Sequence, residues 1–145
     1  MHFLHRIFIT VFAIATFWSC DRVTDNGPID GFWQLTQIVT NDNEKTTIYN
    51  AKEDNTRLAF QLELSQLSLA TGVFSSTFSI KNNQLILSKL YRSAFATDSL
   101  LTDSDLANLA FYGIISESPV FDIVTLNKAS LILRLNNKEL HFRRY

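Results

Sequence analysis

The chain has 145 residues, a formal net charge of −1, a hydrophobic fraction of 46%, 2 prolines and 4 glycines. This length fits one domain, and the hydrophobic fraction supplies a packed core, which excludes disordered, collagen-like and linker-rich proteins. The balanced charge provides no basic surface, so we expect no nucleic-acid partner.

Residues 1–19 have the layout of a secretory signal. Arg6 precedes an apolar run at 7–18 that carries no charge and is shorter than the roughly 20 residues that a membrane-spanning helix needs. The run ends at Ser19-Cys20, and this ending resembles the lipobox of bacterial lipoproteins. The resemblance implies that Cys20 is acylated and becomes the first residue of the mature chain. Cys20 is the only cysteine, so it has no disulfide partner within the chain; a buried, inert thiol is the alternative.

Residues 20–28 are predicted to be the lipidated cysteine and a short polar tether. Such a tether reaches at most about 30 Å when extended, and acyl chains contribute roughly 0.8 kcal/mol for each buried methylene. We therefore expect a lipid-anchored protein of the cell envelope, whose partner is the lipid bilayer bound through Cys20. We expect this bilayer to be the outer membrane of a Gram-negative bacterium.

Residues 29–145 form the predicted folded domain, and their dominant hydrophobic period is two. The clearest strand is 56–64, where Leu58, Phe60, Leu62 and Leu64 share one face. With the other alternating segments, about eight strands are predicted, at 30–40, 46–50, 56–64, 73–81, 84–92, 120–127, 130–136 and 138–145. Short strands that each bury one face favour an all-β, up-and-down barrel of about eight antiparallel strands.

One segment, 100–114, departs from this period. Leu106, Leu109 and Ala110 follow helical spacing, and Asp103 or Asp105 is suited to cap the start. We predict one short helix here, covering an open end or a seam of the barrel. The same two aspartates fit this capping role better than a calcium loop, because the glycine and the distal glutamate of such a loop are missing.

Gly31-Phe32-Trp33 opens the first strand and resembles the Gly-x-Trp signature of lipocalins and lipocalin-like domains. The resemblance implies that Trp33 plugs the base of the barrel and that a basic residue near the chain's end packs over its ring. Alternation along the last strand makes Arg144 the better candidate than Arg143. With the lipobox-like Cys20, the whole layout is similar to small lipocalin-like lipoproteins of Gram-negative envelopes.

The barrel interior is predicted to be filled rather than hollow. Many inward positions carry aromatic rings, and protein interiors pack to crystal-like density, so a filled core is favoured over a pocket. If a pocket exists, its ligand is small and apolar and its lining is Phe60, Leu62, Phe74, Phe78, Phe121 and Leu133.

No catalytic or cofactor signature is found in the sequence. His141 is the only histidine after residue 19, and its outward phase on the last strand favours a solvated side chain. One histidine without a free cysteine forms neither a zinc cluster nor a nucleophilic pair, so we expect no metal, no cofactor and no catalytic residue.

The sequence thus predicts a monomeric, non-enzymatic binding or structural module. Its expected partners besides the bilayer are a small apolar ligand or an envelope protein. A carrier of a small hydrophobic ligand is the alternative function, and an unrecognised hydrolase is the third.

Overall fold

A computed structural model describes residues 26–94 and 96–145. The predictions for the signal segment, for Cys20 and for the tether up to residue 25 lie outside the described residues. The elements are β1 (Gly31–Asp42), β2 (Lys45–Asn50), β3 (Arg57–Gln61), β4 (Leu64–Leu69), β5 (Gly72–Lys81), β6 (Gln84–Leu87), β7 (Tyr91–Ser93), β8 (Asp98–Leu100), α1 (Asp103–Ala110), β9 (Val120–Leu126), β10 (Ser130–Leu135) and β11 (Lys138–Arg144).

Eight of these strands close into an antiparallel ring. The order around the ring is β1, β3, β4, β5, β6, β9, β10 and β11, and β11 pairs back onto β1. Ring neighbours follow one another along the chain once β2, β7 and β8 are set aside, so the predicted up-and-down barrel with one short helix is confirmed. Closure leaves the ring with no free edge.

The three remaining strands extend the ring at one end. β1 pairs with β3 over residues 31–34 and with β2 over residues 37–42. β3 and β2 therefore lie one after the other along the same side of β1. In the same way β5 pairs with β6 and then with β7, which pairs with β8. The single strand predicted at 84–92 is therefore wrong: the chain is interrupted after β6, where the backbone N–H of Leu90 donates to Glu117 O at 2.7 Å.

The single strand predicted at 56–64 is also wrong. A two-residue turn at Leu62-Glu63 reverses the chain between β3 and β4, and Gln61 pairs with Leu64. Leu62 has a φ of +58° and Leu64 is 57% exposed, so neither side chain enters the interior. Two-residue hairpin turns usually carry Gly, Asn or Asp at positions with positive φ, and this turn has none of them.

The core lies inside the ring and is made of large apolar side chains. Those that are less than 2% exposed among the described residues are Ile29, Trp33, Leu35, Ile38, Phe60, Phe74, Leu85, Leu90, Leu109, Ile114, Leu131 and Leu133. One polar pair is buried with them: Ser65 and Ser76 join their hydroxyl oxygens at 2.9 Å across β4 and β5. Their mutual hydrogen bond offsets the cost of burying two hydroxyls.

Helix α1 covers the end of the barrel opposite Trp33. Asn136, in the β10–β11 turn, donates its side-chain amide to Gly113 O at 3.0 Å just after the helix, whereas Trp33 pairs with Arg144 at the other end of β11. Thr102 is the N-cap residue, and the Asp105 carboxylate accepts from its backbone N–H in a capping box, so one of the two predicted aspartates takes part in the cap. No helix in the described ranges has both the length and the hydropathy required to cross a bilayer.

Candidate functional site

The closed end of the barrel is built around the indole of Trp33. This side chain is fully buried, and its Nε1 donates to Ile29 O at 2.7 Å. The Arg144 guanidinium carbon lies 4.4 Å from the centroid of the ring. A cation at this distance over an indole contributes on the order of 0.5–2 kcal/mol.

Arg144 also donates to three backbone carbonyl oxygens on two segments of the chain. Its Nε donates to Lys128 O at 2.7 Å, its Nη1 to Asp30 O at 2.7 Å and its Nη2 to Pro28 O at 2.5 Å. A Cβ added to Gly31, whose φ is +115°, would lie 2.7 Å from the same Nη1. Gly31, Trp33 and Arg144 therefore form one structural lock that joins the beginning of the domain to its end.

The hydrogen bonds of this lock are made to backbone carbonyl oxygens. Three of the five N–H donors of Arg144 bond to such oxygens, and the only polar hydrogen of the Trp33 side chain is donated to Ile29 O. These contacts give the three residues a structural role at the closed end of the barrel.

The six predicted lining residues divide into three groups. Phe60, Phe74, Phe121 and Leu133 are buried inside the ring. Phe78 is half-buried and meets Phe60 edge to face, with ring centroids 4.8 Å apart. The placement of Leu62 in the lining is wrong, because the turn that follows β3 directs it outward and leaves it 46% exposed.

A groove of about 740 Å³ lies on the outside of the barrel wall. Its floor is a row of outward-facing residues in which Phe32 pairs with Ala59, Ala59 with Gln66 and Gln66 with Ser75. Leu62 and Leu64 line the groove at the β3–β4 turn. Alternation places these side chains on the face opposite to the side chains of Phe60 and Ser65, and atoms of both of those residues also line the groove.

A family model described as "Lipocalin-like domain" matches residues 14–145. The chain belongs to this family. The lipocalin-like fold is compatible with a binding or structural module, and the predicted resemblance to lipocalin-like domains is confirmed.

Solved structures of low sequence identity share this fold. A lipocalin-like protein from Bacteroides uniformis ATCC 8492 superposes with a TM-score of 0.56 at 18% identity, covering 82% of this chain and 100% of that one. An uncharacterized protein from Bacteroides eggerthii DSM 20697 gives 0.52 at 16% identity, covering 81% and 99%. A protein from Burkholderia xenovorans gives 0.52 at 13% identity, covering 81% and 83%. No curated protein matches the sequence.

Two carboxylates of this lipocalin-like domain have a lowered pKa, and in each case the cause is a hydrogen bond or ion pair that stabilises the fold. The backbone N–H of Thr102 is the first cause that lowers the pKa of Asp105; the Thr102 hydroxyl and the Arg92 guanidinium lower it further, while burial opposes them. Arg134 lowers the pKa of Glu139, with Nη2 and Oε1 2.7 Å apart. Across the described ranges, no three His, Cys, Asp or Glu side chains are grouped so that they could hold a metal ion.

The sequence did not indicate two features of the domain. One is the Arg92–Asp105 ion pair, which connects β7 to α1 and joins residues that no local pattern relates. The other is the outer groove, which depends on the hairpin at Leu62-Glu63. Because this two-residue turn has no Gly, Asn or Asp, and because the apolar alternation continues through it, the sequence does not indicate that a turn is present.

Proposed function

We propose that this chain is a lipid-anchored, non-enzymatic binding or structural module of the cell envelope and that it acts as a monomer. The observation that carries the proposal is the filled interior, with Trp33, Phe60 and Phe74 each at most 1% exposed. A barrel filled in this way supports a rigid module that presents its outer surface more than a container for a ligand.

The anchor in this proposal is an acylated Cys20. The supporting observations are the apolar run that ends at Ser19-Cys20 and the short distance to the folded domain. Asn26, the first described residue, follows six positions later, so the connecting chain spans at most about 20 Å. The domain would then stay close to the bilayer, which in a Gram-negative bacterium we propose to be the outer membrane.

Replacing the proposed anchor tests this directly. We expect Cys20→Ala in the full chain to abolish acylation and to move the protein out of the detergent-extractable outer-membrane fraction, because the acyl chains supply most of the affinity. Thr24→Ala, four residues later, is the matched control and should fractionate like the unaltered chain. Unchanged outer-membrane fractionation of Cys20→Ala would contradict the anchor.

A carrier of a small hydrophobic ligand is the second candidate. The half-buried ring of Phe78 against Phe60 supports it, because this is a point where the aromatic core approaches the surface. Native mass spectrometry of the protein from cells would then detect a small-molecule adduct that is lost in Phe78→Ala and kept in Val124→Ala, which changes an exposed side chain of β9. A bare mass in the unaltered chain would contradict the carrier.

An unrecognised hydrolase is the third candidate, and turnover in a panel of ester, amide and phosphate substrates would reveal it.

A further inference from the structure

We propose that one side wall of the barrel lies on the surface of the bilayer. The wall is the docking surface, defined as the outward side chains Phe32, Arg57, Leu62, Leu64, Arg143 and Tyr145. This inference rests on the proposed lipid anchor and adds the orientation in which the anchored domain is held.

The apolar part of the docking surface is exposed and lies in or beside the outer groove. Phe32 is 61% exposed, Leu64 57% and Tyr145 69%. The backbone N–H of Tyr145 donates to Phe32 O at 2.9 Å, and Phe32 and Leu64 both line the outer groove over Ala59. Scattered apolar side chains are normal on a protein surface, but a group of this size around one groove indicates a surface that something covers.

Two arginines form the rim of this apolar area. Arg57 and Arg143 face outward on the strands that flank β1, and each pairs in register with Gln34. The Arg143 guanidinium donates to Gln34 Oε1 at 2.7 and 3.0 Å. The Arg57 guanidinium carbon lies 4.7 Å from the centroid of the Tyr145 ring, and its Nε is buried without a hydrogen-bond partner among the described residues.

This combination fits the boundary between lipid headgroups and acyl chains. Aromatic and leucine side chains enter the outer acyl region, while the guanidinium N–H groups of Arg57 and Arg143 that are not bonded within the protein reach up to the headgroup phosphates. Glu63, in the turn beside Leu62, carries the opposite charge and is exposed to water. The phosphate is common to zwitterionic and anionic lipids, so the surface requires no particular headgroup.

The position of the chain's beginning favours the bilayer over a second copy of the protein. The side-chain amide of Asn26 donates to Leu62 O at 2.7 Å, so the first described residue touches the docking surface. An anchor at Cys20 would therefore hold the bilayer within about 20 Å of this wall. A two-fold dimer through the same wall would instead bring its Arg57 and Arg143 rim against an identical rim.

The backbone of Leu62 provides a separate argument. Its φ of +58° lies in the left-handed region, which a leucine adopts at a cost of about 1–2 kcal/mol. Glycine or asparagine would suit this turn better, and yet an exposed leucine is present at its tip. A strained residue that is exposed and apolar is consistent with a side chain retained for contact with lipid.

The experiment compares two positions on opposite walls of the anchored domain. Leu64→Cys on β4 and Val124→Cys on β9 are each introduced into the full chain, which is expressed with its own signal and purified from membranes. Each new thiol is labelled with a polarity-sensitive nitrobenzoxadiazole dye. The protein is then placed in vesicles of about three parts phosphatidylethanolamine to one part phosphatidylglycerol, with and without a doxyl-labelled lipid.

We expect blue-shifted emission that the doxyl lipid quenches at position 64, and neither effect at position 124. Adding Phe32→Ser to the Leu64→Cys chain should shift the equilibrium away from the docked state by roughly tenfold, because burial of that ring in lipid is lost. The protein should stay with the vesicles in both cases, since the anchor is unchanged.

Each other outcome contradicts a defined part of the account. No quenching at position 64 in an acylated, vesicle-bound chain would contradict the docking surface and leave the anchor intact. A blue shift without lipid quenching would mean that protein, such as a second copy, covers the wall, which also contradicts it. Quenching at position 64 in a chain whose Cys20 reacts freely with the dye would support the docking surface and contradict the acyl anchor. A protein found only in solution would contradict both.

Discussion

At the scale of single residues, Arg144 has the widest structural effect. It stacks on Trp33 and donates to the carbonyl oxygens of Pro28, Asp30 and Lys128, so one side chain near the end of the chain fixes the segment where the domain begins. The resemblance of Gly31-Phe32-Trp33 to the Gly-x-Trp signature of lipocalins implied this pairing, and alternation along the last strand favoured Arg144 over Arg143. All three residues could therefore be predicted from the sequence through that resemblance.

Removing this guanidinium should loosen the closed end of the barrel. We expect Arg144→Ala to lower the free energy of unfolding by roughly 1–3 kcal/mol, because it removes the contact over the indole and several charge-assisted hydrogen bonds. Urea denaturation followed by Trp33 fluorescence measures the loss.

Arg143→Ala is the matched control, because its neighbouring guanidinium is bonded to the Gln34 side chain and makes no contact with the indole. An equal loss in the two variants would contradict the central role given to Arg144.

Asp105 is a residue whose contribution to stability depends on pH in the acidic range. Thr102 and Arg92 hold its pKa below the ordinary value of 3.8, so its contribution is fully present above that pH and is lost as the pH falls through the lowered pKa. We expect Asp105→Asn to lower the free energy of unfolding by roughly 1–2 kcal/mol near neutral pH. The difference from the unaltered protein should shrink as the pH falls below 3.8.

Asp103→Asn changes an exposed carboxylate in the same helical turn and serves as the control. Urea midpoints measured across this acidic range should show that the difference between Asp103→Asn and the unaltered protein changes little with pH. A difference for Asp105→Asn that stays constant at every pH would contradict the assignment to its ionised carboxylate.

At the scale of elements, the β3–β4 hairpin explains why the sequence could predict only part of the candidate site. The alternation of apolar residues at positions 58, 60, 62 and 64 continues without a break through a two-residue turn. The hydrophobic period therefore does not show where β3 ends and β4 begins. The turn then places Leu62 and Leu64 outside, where they line the outer groove. Hydrophobic period determines which residues share a face within a strand, but turn geometry determines which strand each residue belongs to.

The strain at this turn gives a prediction at the same scale. We expect Leu62→Gly to raise the free energy of unfolding by roughly 0.5–1 kcal/mol, because glycine adopts positive φ freely, although it gains chain entropy when unfolded. Leu62→Ala keeps its Cβ and hence the strain, so it is the control and should give no gain. Urea denaturation distinguishes the two variants. A stabilisation by alanine equal to that by glycine would mean that the exposed side chain, and not the backbone, carries the cost.

The segment between β6 and β9 is the second element that the sequence could not define. Its helix was predictable from the spacing of Leu106, Leu109 and Ala110, but the attachment to β7 through Arg92 and Asp105 was not, because it joins residues 13 positions apart across two elements. β8 was missed for a similar reason: three exposed residues that pair only with β7 have no hydrophobic period to detect.

At the scale of the whole molecule, both ends of the barrel are covered. Arg144 and the 3₁₀ turn Gly27–Ile29 close one end, and α1 covers the other, with Leu109 fully buried beneath it. The ring between them was predictable because nearly every strand alternates and because short strands that bury one face must close on one another. The result is a filled lipocalin-like barrel whose outer surface, rather than its interior, offers the exposed apolar area.

The anchor at Cys20 is the central claim about where this barrel works, and the intact mass of the protein from the envelope tests it most directly. The account predicts a mature chain that begins at Cys20 and carries the added mass of acyl groups at that residue. A chain that retains residues before position 20, or one that begins at Cys20 with an unmodified thiol, would contradict it.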